Sequence, residues 1–223
     1  METKSPARER KKSVNDKNRM SALRNGRCWM VCFNLLVALA STASAGDKPQ
    51  DPVKTYYDSG ELMNEWAVKG VKPIGPGKTY HRNGRLKEEW TFKDGKREGQ
   101  IKEYYESGNI EAKYNEKKGK KDGEFKGFFE SGKLEVEGTY KDDKRQGSWK
   151  TYYENGLLKE DRNYKDGKQE GPCKTYYGNG VLEAEYVYKD DKREGSVKKY
   201  YKNGLLREDC LYKNDKPEGL CKG

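Results

Sequence analysis

A spacing of 24 residues runs through most of this 223-residue chain without insertion or deletion. Aromatic pairs begin at Tyr56, Tyr80, Tyr104, Phe128, Tyr152, Tyr176 and Tyr200. Four positions after each comes a Gly (60, 84, 108, 132, 156, 180 and 204), and two further on an aliphatic residue, from Leu62 to Leu206. A second Gly column occupies 75, 99, 123, 147, 171, 195 and 219. Three Lys columns keep the same period, one of them Lys78, Lys102, Lys126, Lys150, Lys174, Lys198 and Lys222. Such a period marks a repeat architecture, in which each unit buries its apolar side only against its neighbours.

Only that architecture reconciles the composition with folding. The chain is 32% hydrophobic and 38% charged, with a mean hydropathy of -1.27, whereas ordinary domains are roughly 45–50% apolar. Too little apolar surface is available for one deep core. The 17 Tyr and 25 Gly, however, are what short strands joined by tight turns require. In the unit at 149–171, Trp149-Lys150-Thr151-Tyr152-Tyr153 reads as a strand and Glu154-Asn155-Gly156 as a turn. Leu158 to Tyr164 reads as a second strand, and Lys165 to Gly171 as a second turn. The fold class is therefore all-β: an elongated ribbon, or solenoid, of seven consecutive antiparallel β-hairpins, roughly 65 to 70 Å long at ~4.8 Å per strand.

Strand parity divides the rings. In the second strand Leu182, Ala184, Tyr186 and Tyr188 form one, drier face, and in the first strand Ile101, Phe125, Trp149, Cys173 and Val197 alternate with the Lys column. The second rings Tyr105, Phe129, Tyr153, Tyr177 and Tyr201 are expected with them in the core. The first rings Tyr56, Tyr80, Tyr104, Phe128, Tyr152, Tyr176 and Tyr200 then share the outer face with Lys102, Lys126, Lys150, Lys174 and Lys198. That face is the candidate binding surface. An acidic column, Glu65, Glu89, Glu137, Asp161, Glu185 and Asp209, stands beside it and predicts cross-strand charge pairing. Pro73 and Pro76 depart from the unit consensus and lack the N–H a ladder needs, so the first unit reads as a cap. At the other end, Leu220 to Gly223 begins an eighth first strand that stops before its aromatic pair, giving an edge open to a partner.

The first 45 residues read as an export signal. Nine basic residues face three acidic ones there, and an apolar run from Cys28 to Ala40 leads to Ala43-Ser44-Ala45-Gly46, a small-x-small cleavage pattern. Cleavage near Ala45/Gly46 leaves a short linker over 46–53 and a repeat domain over 54–223, exported to the periplasm, cell surface or medium. Starting translation at Met20 rather than Met1 gives a basic segment of ordinary length. Residues 46–223 hold 38 basic and 34 acidic residues, too even a balance for a nucleic-acid partner.

One histidine, His81, supports neither a multi-His metal site nor a triad. The Lys-Asp-Gly-Lys loops offer too few oxygens for calcium. No carboxylate pair stands apart from the periodic acids. The expectation is no catalytic residue, no metal and no cofactor. Cys173 and Cys221 occupy equivalent positions two units apart, too far to bond. Cys210 and Cys221 flank the last loop at facing positions, and export would let them close a disulfide.

The element Tyr-Tyr-Glu-Asn-Gly-Leu-Leu-Lys-Glu followed by Tyr-Lys-Asp-Gly-Lys-Gln-Glu-Gly, over 152–171, resembles the MORN-repeat variant (membrane occupation and recognition nexus). It is also similar to the repeat of YwqK-type antitoxins. The resemblance spans about 54–223 and implies a hairpin ribbon that binds proteins, or in some members membrane lipid, without catalysis. The reading is an exported non-enzymatic scaffold in the cell envelope that binds protein. An antitoxin or immunity role, and a module for cell-wall glycan or anionic lipid, are the alternatives.

Overall fold

The computed structural model describes residues 51–222. The export signal expected over 1–45 and the linker as far as residue 50 lie outside the described residues. The strands are Val53–Tyr56 (β1), Leu62–Lys69 (β2), Lys72–Tyr80 (β3), Leu86–Lys93 (β4), Lys96–Arg97 (β5), Gly99–Tyr104 (β6), Ile110–Lys117 (β7), Lys120–Phe128 (β8) and Leu134–Lys141 (β9). They continue as Lys144–Tyr152 (β10), Leu158–Lys165 (β11), Lys168–Tyr176 (β12), Leu182–Lys189 (β13), Lys192–Arg193 (β14), Gly195–Tyr200 (β15), Leu206–Lys213 (β16) and Lys216–Lys222 (β17). All belong to one open sheet of consecutive antiparallel hairpins. β4 is shared by β5 and β6, and β13 by β14 and β15.

Two turns alternate along the sheet. One contains two residues with positive φ, such as Asp94 (51°) and Gly95 (78°), or Asp190 (49°) and Asp191 (67°), the type I′ geometry that matches strand twist. Its flanking lysines face each other, Lys93 with Lys96 and Lys189 with Lys192. In the other turn the second ring of each pair takes the place of a strand residue. Tyr153 N–H donates to Leu157 O, and Gly156 N–H to Tyr153 O, both at 2.8 Å.

Three expectations need correction. The second Gly column lies inside strands rather than in the Lys-Asp turn: Gly171 sits within β12 at φ 87°, where pairing with β11 jumps from Arg162–Cys173 to Tyr164–Gln169. Such a bulge places a residue outside the ladder and increases the twist. The same bulge admits the prolines, so the first unit is a full hairpin and not a Pro-blocked cap. β3 pairs with both β2 and β4, but Pro76 is skipped in the β2 ladder and Pro73 lies outside the β4 ladder. Each missing N–H therefore falls where one ladder is already interrupted. Finally, the second rings are not core. The strands end at the first ring, where register shifts by one residue, as between Thr151 and Tyr152. The second rings fall at the sheet margin, and Tyr201 is 51% exposed.

There they act as latches. Tyr57, Tyr105, Tyr153 and Tyr177 each donate a hydroxyl to the first-ring carbonyl of the next unit (Tyr80, Phe128, Tyr176 and Tyr200) at 2.6–2.8 Å. His81 Nε2 meets Tyr104 O in the same way. The opposite margin is tied loop to loop: Asp143, Asp191 and Asp215 accept the N–H of Lys121, Gln169 and Arg193.

The inner face carries the apolar row. Trp90, Ile101, Ala112, Tyr114, Phe125, Val136, Trp149 and Tyr164 form one buried cluster, and Cys173, Ala184, Val197 and Cys210 continue the burial. Trp149 stacks on Phe125 (5.5 Å between centroids) and meets Tyr140 (5.0 Å) and Tyr164 (6.3 Å) edge-on. Its cross-strand neighbour Gly138 is small of necessity, since a Cβ there would lie 2.4 Å from the indole.

Candidate binding faces

On the outer face the first rings are tied down by carboxylates. Tyr80, Tyr104, Tyr152 and Tyr200 each donate a hydroxyl to the glutamate 15 residues earlier: Glu65 (2.5 Å), Glu89 (2.8 Å), Glu137 (2.6 Å) and Glu185 (3.2 Å). Partial burial and the adjacent carboxylate push the phenols of Tyr80, Tyr104 and Tyr152 up to about 12. The lysines take the same acids. Lys102 pairs with Glu89 (2.8 Å), Lys174 with Glu185 (3.1 Å) and Lys198 with Asp209 (3.9 Å). Hydrogen bonds from Lys102 and then Tyr104 hold the Glu89 carboxyl below its ordinary range. Of the candidate surface, Tyr56 is 56% exposed. Tyr80, Tyr104, Phe128, Tyr152, Tyr176 and Tyr200 are half-buried, as are Lys102, Lys150 and Lys198, while Lys126 and Lys174 are exposed. The face is thus a lattice in which Glu65, Glu89, Glu137 and Glu185 each hold a ring, and Glu89, Glu185 and Asp209 each pair with a lysine.

Two units depart from the lattice: 15 residues before Tyr176 stands Asp161, which accepts from Ser148 Oγ (2.9 Å) instead, and at Phe128 both partners change. Lys113 replaces the acid, and 15 residues later Phe128 replaces the tyrosine, so the donor disappears together with its acceptor. Lys113 Nζ instead lies 5.8 Å from the Phe128 ring. The exchange sets Lys102, Lys113 and Lys126 side by side on three neighbouring strands, and like charges directly opposite are unfavourable. The pair Lys113→Glu with Phe128→Tyr restores the alternation. It is expected to raise stability by about 1–2 kcal/mol, seen as a higher urea midpoint with an unchanged slope. A lower midpoint would show that the ammonium–ring contact outweighs the repulsion.

The inner face holds a second set of cations that parity alone did not single out. Arg97 lies over Trp90 (4.1 Å), Lys121 over Tyr114 (4.1 Å), Arg145 over Trp149 (4.6 Å) and Arg193 over Tyr212 (4.5 Å). Arg97 also forks onto Glu88 with two 2.7 Å bonds. All four follow the lysine that closes the type I′ turn, a column whose basic character is visible in the sequence. Nearby, burial pushes the Glu103 carboxyl above its ordinary range, while the Tyr114 hydroxyl, 2.9 Å away, opposes the shift.

Cys210 and Cys221 are joined in a disulfide with Cα atoms 4.5 Å apart. Glu208 lies beside them, but neither sulfur is then a thiolate able to ligate a metal. Cys173 is a buried free thiol that burial pushes up to about 11.

The MORN repeat variant matches six successive segments, 73–94, 97–115, 121–142, 145–166, 169–190 and 193–214, together more than half of the sequence. The chain belongs to the MORN-repeat variant family. Each matched segment holds the first strand of one MORN unit with the second strand that follows it, so the matches keep the 24-residue register of the sheet. The hairpin from β1 to β2 precedes the first matched segment and has the same pairing. MORN repeats are in general interaction modules for protein or membrane lipid rather than catalysts. No curated protein matches the chain.

Proposed function

We propose that this MORN-repeat protein is an exported, non-enzymatic scaffold that binds a protein partner in the cell envelope through its outer Tyr and Lys columns. The observation that carries the reading is the hydroxyl–carboxylate–ammonium lattice. It fixes half-buried rings at one constant spacing and leaves their sides to a partner, at little further entropic cost on binding. Ion pairs neutralise Lys102, Lys174 and Lys198 on this face, which favours protein over an anionic lipid surface, where unpaired cations supply the attraction. The leader over 1–45 with cleavage near Ala45/Gly46 supports the envelope as the location.

The test is quantitative enrichment from envelope extract with the tagged full chain and with a variant carrying Tyr104→Ser, Tyr152→Ser and Tyr176→Ser. One protein recovered stoichiometrically by the native chain, and lost by a variant with native circular dichroism, is the expected result. Equal recovery by both removes the outer face from the interaction. A cytoplasmic location with an uncleaved leader removes export. If the recovered partner is a toxic enzyme that the chain inhibits, the role is that of an immunity protein.

A further inference from the structure

The inner row changes character at β11. The position that holds Trp66, Trp90, Tyr114 and Tyr186 in other units holds Arg162 here, opposite Cys173 in β12 and Trp149 in β10. Its guanidinium has a side-chain exposure of 27% and uses Nε and Nη2 in a fork onto Glu160, both bonds 3.0 Å. Next to it Cys173 (3% exposed) stands where other units hold Phe125 and Trp149, beside Ala184 (1%) and Thr175, with Tyr186 and Tyr188 completing the lining. The result is an open depression of about 380 Å³, within the size range of small-ligand sites. Its lining carries Arg162, Arg193, Lys199 and Arg207 against Glu160 and Glu183, and beyond the lining Lys199 pairs with Glu208 (2.9 Å) and Arg193 with Asp215 (3.1 Å).

Stability does not account for this arrangement. A partly buried ion pair gains little over well-packed apolar residues, and this fold uses a ring at the same position in four other units. A guanidinium with one edge fixed by Glu160 presents its remaining N–H groups in a set orientation, and guanidinium groups suit the planar or tetrahedral oxygens of carboxylate and phosphate. Arg207 forms no ion pair among the described residues and adds charge at the rim.

We infer that the depression around Arg162 is a binding site for a compact oxyanion, a carboxylate or phosphate group. It lies on the opposite sheet face from the Tyr and Lys columns and does not depend on the proposed role of those columns.

The test is isothermal titration of the full chain with two probes, inorganic phosphate and citrate, which separate the two chemistries. Alongside it, alkylation of Cys173 by iodoacetamide is followed peptide by peptide with mass spectrometry. At least one probe is expected to bind and to slow Cys173 alkylation about threefold or more. Arg162→Tyr, which places the ring of the other units here, is expected to weaken that binding about tenfold or more, equivalent to about 1.4 kcal/mol. Should Arg162→Tyr fail to fold, Lys199→Ser leaves the inner row intact, and the same probe is expected to bind it at least about threefold more weakly. No binding of either probe up to about 10 mM, equal binding by the folded variant, or binding that leaves Cys173 alkylation unchanged would overturn the assignment.

Discussion

Trp149→Ala is expected to lower stability by about 3–5 kcal/mol and to turn one unfolding transition into two. The indole stacks on Phe125 from the preceding unit and meets Tyr140 and Tyr164 edge-on, so its loss breaks the row of rings that runs from Tyr114 to Tyr164. It also removes the surface on which Arg145 rests and the N–H that donates to Thr139 O. Neighbouring units have no other layer to hold them together, because each contacts only the next. Urea unfolding followed by circular dichroism and by tyrosine fluorescence should show early loss on one side of β10 and later loss on the other. A single coincident transition with a shift under about 1 kcal/mol would mean that the rings repack across the gap.

Reduction of the Cys210–Cys221 bond is expected to cost roughly 3 kcal/mol in the last hairpin and almost nothing elsewhere. The bond closes a sequence separation of 11 residues between β16 and β17. β17 is exposed at every position and adds no ring to the inner row, so little besides its ladder and this bond holds it. Hydrogen exchange should show β16–β17 amides losing protection in dithiothreitol or in Cys221→Ser, while those of β8 to β11 remain as they were. Cys173 should not intervene, since its buried thiol is pushed up to about 11 and stays protonated near neutrality. Equal loss of protection throughout the sheet would show instead that the last hairpin nucleates the whole array. Three reactive thiols in denatured, unreduced protein carrying residues 46–223 would show that the bond is absent.

Much of the sheet could be read directly from the residues because a period-2 pattern inside a 24-residue period leaves few choices. Ile101, Phe125, Trp149, Cys173 and Val197 are all buried, as their alternation with lysine requires. The prediction failed where a bulge intervenes. A one-residue shift after Thr151 carries Tyr153 off the inner face, and counting by twos cannot register a residue that leaves the ladder. The prolines misled for the same reason, since a missing N–H matters only where a partner is waiting for it. The cations over the rings were missed on different grounds: Arg97 or Arg145 in a charged loop looks solvated until its aromatic neighbour is known. Lys113 and Phe128 did carry a signal, being the only lysine in the acidic column and the only phenylalanine among the first rings.

The latches along both margins join residues 22 or 23 apart, close to one full period. No latch therefore depends on how many units the array contains. Excising one period and rejoining the chain would return every hydroxyl and every loop aspartate to an equivalent acceptor or donor. Length in this molecule is accordingly an adjustable quantity, changed in steps of about 10 Å per unit. Such a sheet works as a ruler whose graduation is set by the hairpin and whose extent is set by copy number.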